Sequence, residues 1–240
     1  MDEAVRDKAY ENHVREQTLK SNPTEVDLLS RFLNHVVTGL NKLPQPMTLA
    51  EPFNVVLLLA GMAFNSLRWS WELLLNGYYV QSNATTRVAW ECWLHSQYLI
   101  FYPERLEEWK ADRNNRRPVE LRRRVAEAWT AQQTAGREEA LSALNELYDR
   151  LSVYSHPNPQ ALALLLEDNQ TGGATLRLGP AYDESLVVET THLFCYTAGN
   201  VFSMPMVLLI PKHADYEAES EALKSELDIW RTNMLARFGT

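Results

Sequence analysis

The sequence predicts an all-α protein, a helical bundle of about seven to nine helices, and three observations carry that expectation. Glycine is scarce at nine in 240 residues, and alternating β-branched runs are few, so little of the chain is suited to sheet. Apolar residues recur every three or four positions, as at Leu28, Leu29, Phe32, Leu33, Val36, Val37 and Leu40. Two stretches, from 53 to 75 and from about 84 to 102, are apolar nearly all round, which marks helices central to a fold.

In chain order, residues 2 to about 20 are polar and helix-favouring. Ser21-Asn-Pro-Thr24 reads as a stop followed by an N-cap at Thr24. Pro44 and Pro46 end the second helix, and Thr48 opens a third that runs to Asn76-Gly77. Ser82-Asn83 restarts the chain into a fourth helix, closed by Pro103. A short helix through Leu106, Trp109 and Lys110 follows. Pro118 opens a helix through Leu121, Val125 and Trp129, and Gly136 precedes one carrying Leu144, Leu147 and Leu151. Between 161 and 178, two short runs flank Gly172-Gly173, so a small β-hairpin competes with a loop or short helix. Asp183 caps a long helix from about 184 to 209, and a last helix carries Leu223, Leu227 and Trp230. With no repeat and no evident linker, residues 1–240 read as one all-helical domain: N-terminal helices over 1–46, a bundle core over 50–210, and a C-terminal helix over 212–237.

A net charge of −8 argues against a general nucleic-acid coat, though not against one local basic site, and no DNA-binding signal is present. Two cysteines in apolar surroundings read as free thiols of a reducing compartment, and the charged first residues do not form a signal peptide, so the expected location is cytoplasmic. Residues 192–210 lack Asp, Glu, Lys and Arg, but His192, Asn200 and Pro205 within them favour a buried core helix over a membrane span. No metal-ligand spacing, P-loop or dinucleotide fingerprint occurs, so no metal or other cofactor is expected.

Three constellations carry chemical potential. Arg87, Glu91 and His95 recur every four residues on the fourth helix, and Asn65, Arg68, Glu72 and Asn76 form a similar stripe at spacings of three and four on the third. On helices this apolar, such groups are expected to be substantially buried and paired. They form either a structural seam between two helices or the lining of a pocket. Arg113, Arg116, Arg117, Arg122, Arg123 and Arg124 form a local positive field, either a solvated connector or a surface for phosphates. Third is Tyr148-Asp-Arg-Leu-Ser-Val-Tyr-Ser-His-Pro-Asn158 at a helix end. At about 100° per residue, Arg150 and His156 stand roughly 120° apart on an unbroken helix. They converge only if the chain turns just before His156, and Pro157 supplies the turn. Arginine on phosphate and histidine as acid or base are the minimum for metal-free phosphodiester cleavage, with Ser152, Tyr154, Ser155 and Asn158 as added hydrogen-bonding groups. The competing reading has Ser155 and His156 tying off the last helical carbonyls while Arg150 faces solvent.

Arg150-Leu-Ser-Val-Tyr-Ser-His156 resembles the arginine–four-to-six-residues–histidine motif of the HEPN superfamily. Arg87-Val-Ala-Trp-Glu91 followed by Leu151-Ser-Val-Tyr-Ser-His-Pro157 is similar to an uncharacterised bacterial HEPN-like family. The similarity extends over roughly residues 50–210. It implies a helical bundle, often a homodimer with paired motifs at its interface. In active branches it implies metal-independent RNA cleavage in defence or stress systems, here with Arg150 and His156 catalytic and Arg87 and Glu91 supporting. Active members usually carry a polar residue straight after the arginine, where this chain has Leu151. Non-catalytic binding or assembly modules are the other implied class.

Overall fold

A computed structural model describes residues 3–41, 52–111, 118–132, 136–155, 166–169, 173–176, 179–209 and 214–238. Among these, nine α-helices dominate: α1 (Glu3–Ser21), α2 (Pro23–Asn41), α3 (Phe53–Leu75), α4 (Tyr79–Phe101), α5 (Leu106–Ala111), α6 (Pro118–Gln132), α7 (Arg137–Ser155), α8 (Glu184–Leu209) and α9 (Ala214–Phe238). A single 3-10 turn, Pro103–Arg105, leads into α5. Of the alternatives open for 161–178, the described residues form the hairpin: β1 (Leu166–Asn169) runs antiparallel to β2 (Gly173–Leu176), with Leu166 opposite Leu176. The fold is therefore an all-α helical bundle with one small ribbon. Among the described residues no helix is long and apolar enough to cross a membrane.

Helix α4 lies at the centre, packed on α3, α6, α7 and α8. Its Trp90, Leu94 and Leu99 are fully enclosed, and Trp90 is the largest fully buried side chain among the described residues. Truncating such a residue leaves a cavity, so Trp90→Ala should cost about 3–5 kcal/mol. α8 supplies Leu193, Phe194, Cys195 and Ala198 to the same core, and α2 closes it with Leu28, Leu29, Phe32 and Val36. Asp183 caps α8 as its sequence position predicts: its Oδ1 accepts from the Leu186 amide at 3.1 Å.

The α3–α4 turn explains why the chain reverses at Asn76-Gly77. Gly77 has φ +79°, and a Cβ there would stand 2.3 Å from the Ala181 carbonyl oxygen, so glycine alone fits. The Gly77 carbonyl in turn accepts from the Ala181 amide at 3.4 Å, holding the approach to α8 against this turn.

Two local expectations are corrected. α2 begins at Pro23, whose ring suits a first helical position, and the Asn22 carbonyl accepts from the Val26 amide, so the helix starts ahead of Thr24. α4 begins at Tyr79, five residues before the expected restart, and Ser82 and Asn83 lie buried inside it. Their polarity serves helix packing. Ser70 Oγ of α3 meets Ser82 Oγ at 2.8 Å and Thr86 Oγ1 at 2.6 Å, and Asn83 Nδ2 donates to Thr190 Oγ1 at 3.1 Å.

Candidate functional site

Helix α7 presents two different polar faces, separated by the buried Leu144 and Leu151. Asn145, Tyr148 and Ser152, spaced three and four residues apart, form one face. Ala143, Glu146, Leu147 and Arg150 form the other. Each gathers charged residues from neighbouring helices, and they differ in how much water reaches them.

On the first face, the Tyr148 ring is shared by two guanidinium groups. Arg122 of α6 lies 3.8 Å from the ring centroid and Arg87 of α4 lies 4.9 Å from it, both within cation–π range. Arg87 Nη2 also donates to Tyr148 Oη at 3.2 Å, while its Nε donates to Glu91 Oε1 at 2.9 Å. Arg122 is only 4% exposed, its Nε donates to Asn145 Oδ1 at 2.7 Å, and its buried Nη1 has no hydrogen-bond partner. Burial pushes the Arg122 guanidinium below its ordinary pKa, with Tyr148 opposing that shift and Arg87 adding to it. Ser152 Oγ on the same face is likewise buried without a partner.

Arg150 belongs to the second face. Its Nη2 stands 3.7 Å from Glu189 Oε1 of α8, an ion pair too long to be a hydrogen bond, with both side chains about a third exposed. Beside it, Glu146 and Leu147 of α7 and His192 and Tyr196 of α8 line a half-open cleft of about 150 Å³. The spacing 189, 192, 196 sets Glu189, His192 and Tyr196 along one stripe of α8. The His192 and Tyr196 rings lie 6.1 Å apart at 59°.

The predicted residues divide accordingly. Arg87, Glu91 and Ser152 belong with Tyr148. Arg150 belongs with Glu189 and the cleft. His95 is set apart: its Nδ1 accepts from Trp109 Nε1 at 3.0 Å, tying α5 to α4 about two helical turns from Arg87. Of the arginine run, Arg122 is in the core, whereas Arg123 and Arg124 are exposed beside Glu120 and Glu127 at 3.8 and 3.7 Å. His156 and Asn158, Arg113, Arg116 and Arg117, and the side chains of Tyr154 and Ser155 lie outside the described residues. The α3 stripe is a correction: Asn65 and Arg68 are exposed, and Glu72 takes Arg15 of α1 at 2.8 Å, so it does not form a buried seam with α4. The α3–α4 contact is instead the Ser70, Ser82 and Thr86 group.

No family model matches this chain, and no curated protein or solved structure matches it.

Sequence reasoning missed Asn145, Glu189 and the roles of His192 and Tyr196. For Arg122 a signal existed. Positions 122, 125, 126 and 129 share one face of α6, and Val125 and Ala126 are fully buried, so its helical phase separates it from its two arginine neighbours. Among the described residues, no three His, Cys, Asp or Glu side chains gather as a metal site.

Proposed function

We propose that this chain is a HEPN-like, metal-independent endoribonuclease of bacterial defence or stress type, acting in the cytoplasm as a homodimer. The reaction starts when the ribose 2′-hydroxyl attacks the adjacent phosphorus. His156 accepts the hydroxyl proton and, as imidazolium, gives it to the departing 5′-oxygen as the P–O5′ bond breaks. Products are a 2′,3′-cyclic phosphate and a 5′-hydroxyl. Arg150 binds the phosphate and stabilises the charge that develops on its equatorial oxygens. Arg87, held between Glu91 and Tyr148, supports the site by fixing α4 against α7, and Arg113, Arg116, Arg117, Arg123 and Arg124 hold substrate, a role the buried Arg122 does not share.

One observation carries this reading. Arg150 opens to solvent beside a cleft in the last turns of α7, and that helix continues through Ser155, immediately before His156 in sequence. The experiment is direct. Purified protein in EDTA, given a mixed RNA pool, should release fragments ending in cyclic phosphate, and His156→Ala should abolish this while remaining folded. Equal survival of the RNA with wild type and variant refutes the reading for that pool.

A second reading, a non-catalytic interaction or small-ligand-binding protein, draws on the Arg150–Glu189 pair. A carboxylate 3.7 Å away already competes with phosphate for that arginine. This reading predicts ligand binding with no RNA turnover.

A further inference from the structure

The cleft between α7 and α8 is lined by charged and aromatic side chains together. Its volume of about 150 Å³ is that of a cavity filled by a single six-membered ring, so this half-open cleft takes one edge of a base and leaves the remainder outside. Tyr196, half-buried and backed by the enclosed His192, offers a ring surface of the kind on which the unstacked bases of single-stranded RNA are commonly held. Glu146 stands on the rim, one helical turn before Arg150 on the same stripe of α7.

An ionised carboxylate only accepts hydrogen bonds, and it accepts two side by side. Guanine alone among the four RNA bases presents two adjacent donors, N1–H and the 2-amino group, on its pairing edge. Adenine and cytosine each set a ring-nitrogen acceptor beside their amino group, and uracil flanks its single N–H with two carbonyls. Each of these would turn a lone pair towards Glu146. With guanine seated against Tyr196 and its edge on Glu146, the attached ribose-phosphate extends along α7 towards Arg150.

We infer that this cleft binds a guanine base and that Glu146 is its specificity-determining residue. The inference rests on the nuclease reading for its substrate, since a guanine beside Arg150 would set which RNA linkage is presented. The guanine itself comes either from single-stranded RNA or from a free nucleotide.

The test measures binding without turnover, using 2′-O-methyl oligonucleotides, which lack the attacking hydroxyl. A hexamer of uridines carrying one central guanosine should bind the wild-type protein about tenfold more tightly than the all-uridine hexamer. Glu146→Gln should erase that preference, bringing the two hexamers to equal affinity. Tyr196→Ala should weaken the guanosine hexamer, and Tyr196→Phe should not. GMP measured against AMP, CMP and UMP separates the sources: GMP binding as tight as the hexamer assigns the cleft to free nucleotide, and markedly weaker binding assigns it to RNA. Equal affinity for all bases, or a guanine preference that survives Glu146→Gln, overturns the inference. Cleavage of natural RNA without guanine preference would remove this inference and leave the nuclease reading standing. Guanine-selective binding without any cleavage would do the reverse.

Discussion

The two faces of α7 carry similar residues and hold them in opposite ways. Around Tyr148, Arg87 and Arg122 are almost wholly enclosed, and each is engaged by the ring and by a neighbouring oxygen acceptor. Around Arg150, the guanidinium is a third exposed, its carboxylate partner is distant, and a cleft opens beside it. Enclosure makes a charged group expensive to disturb, because any stranded partner has lost its water. Exposure makes it cheap to disturb and available to a ligand. The same residue type is thus structural on one side of a helix and free for chemistry on the other.

That contrast can be broken by substitution, and the largest effect belongs to Asn145. Asn145→Leu removes the acceptor for the Arg122 Nε inside the core, leaving a buried cation with even fewer partners. A loss of about 3 kcal/mol is expected in urea denaturation. Arg87→Leu should cost less, about 1–2 kcal/mol, because the abandoned Glu91 is 37% exposed and can be rehydrated. If Arg87→Leu proved the costlier change, the weight placed on Arg122 would be misplaced. On the other face, Arg150→Ala should alter stability by less than about 0.5 kcal/mol.

The cysteines sharpen the contrast between enclosed and open groups elsewhere in the bundle. Burial pushes the Cys92 thiol up to about 11, with the neighbouring Glu91 charge adding to the shift, and pushes fully enclosed Cys195 well up too. A raised thiol pKa means almost no thiolate at pH 8. Neither thiol should react with an aromatic disulfide reagent in the native protein at that pH, and both should react once it is unfolded. Rapid native labelling would show that α4 and α8 open far more readily than their packing implies.

Much of the fold was legible because helices are written in short-range pattern. The capping aspartate at 183 and the turn at Gly77 were read from local residues, whereas the stretch 161–178 stayed open between hairpin, loop and short helix. Ser82 and Asn83 misled for a physical reason: small polar residues favour helix starts, and they equally favour close helix crossings. Only the presence of Ser70 opposite them decides between the two. The α3 stripe failed similarly, since periodicity gives a helix its faces without saying which face meets the core. Glu72 was claimed by Arg15, 57 residues away, a contact that no local pattern encodes. At the site, Arg150 and Arg87 were identified by spacing, but their separation onto different sides of α7 was not, because it depends on how α6 and α8 flank that helix. Arg122 shows the finer limit. Three consecutive arginines look alike until the apolar phase of α6 is followed through Val125, Ala126 and Trp129.

One paired measurement on Arg150→Ala tests most directly whether the open face of α7 is the working one. Melting temperature and RNA cleavage in EDTA are followed on the same preparation. The account predicts a melting temperature within about 2 °C of wild type, as expected for an exposed ion pair, together with loss of cyclic-phosphate fragments. Undiminished cleavage at an unchanged melting temperature would contradict it.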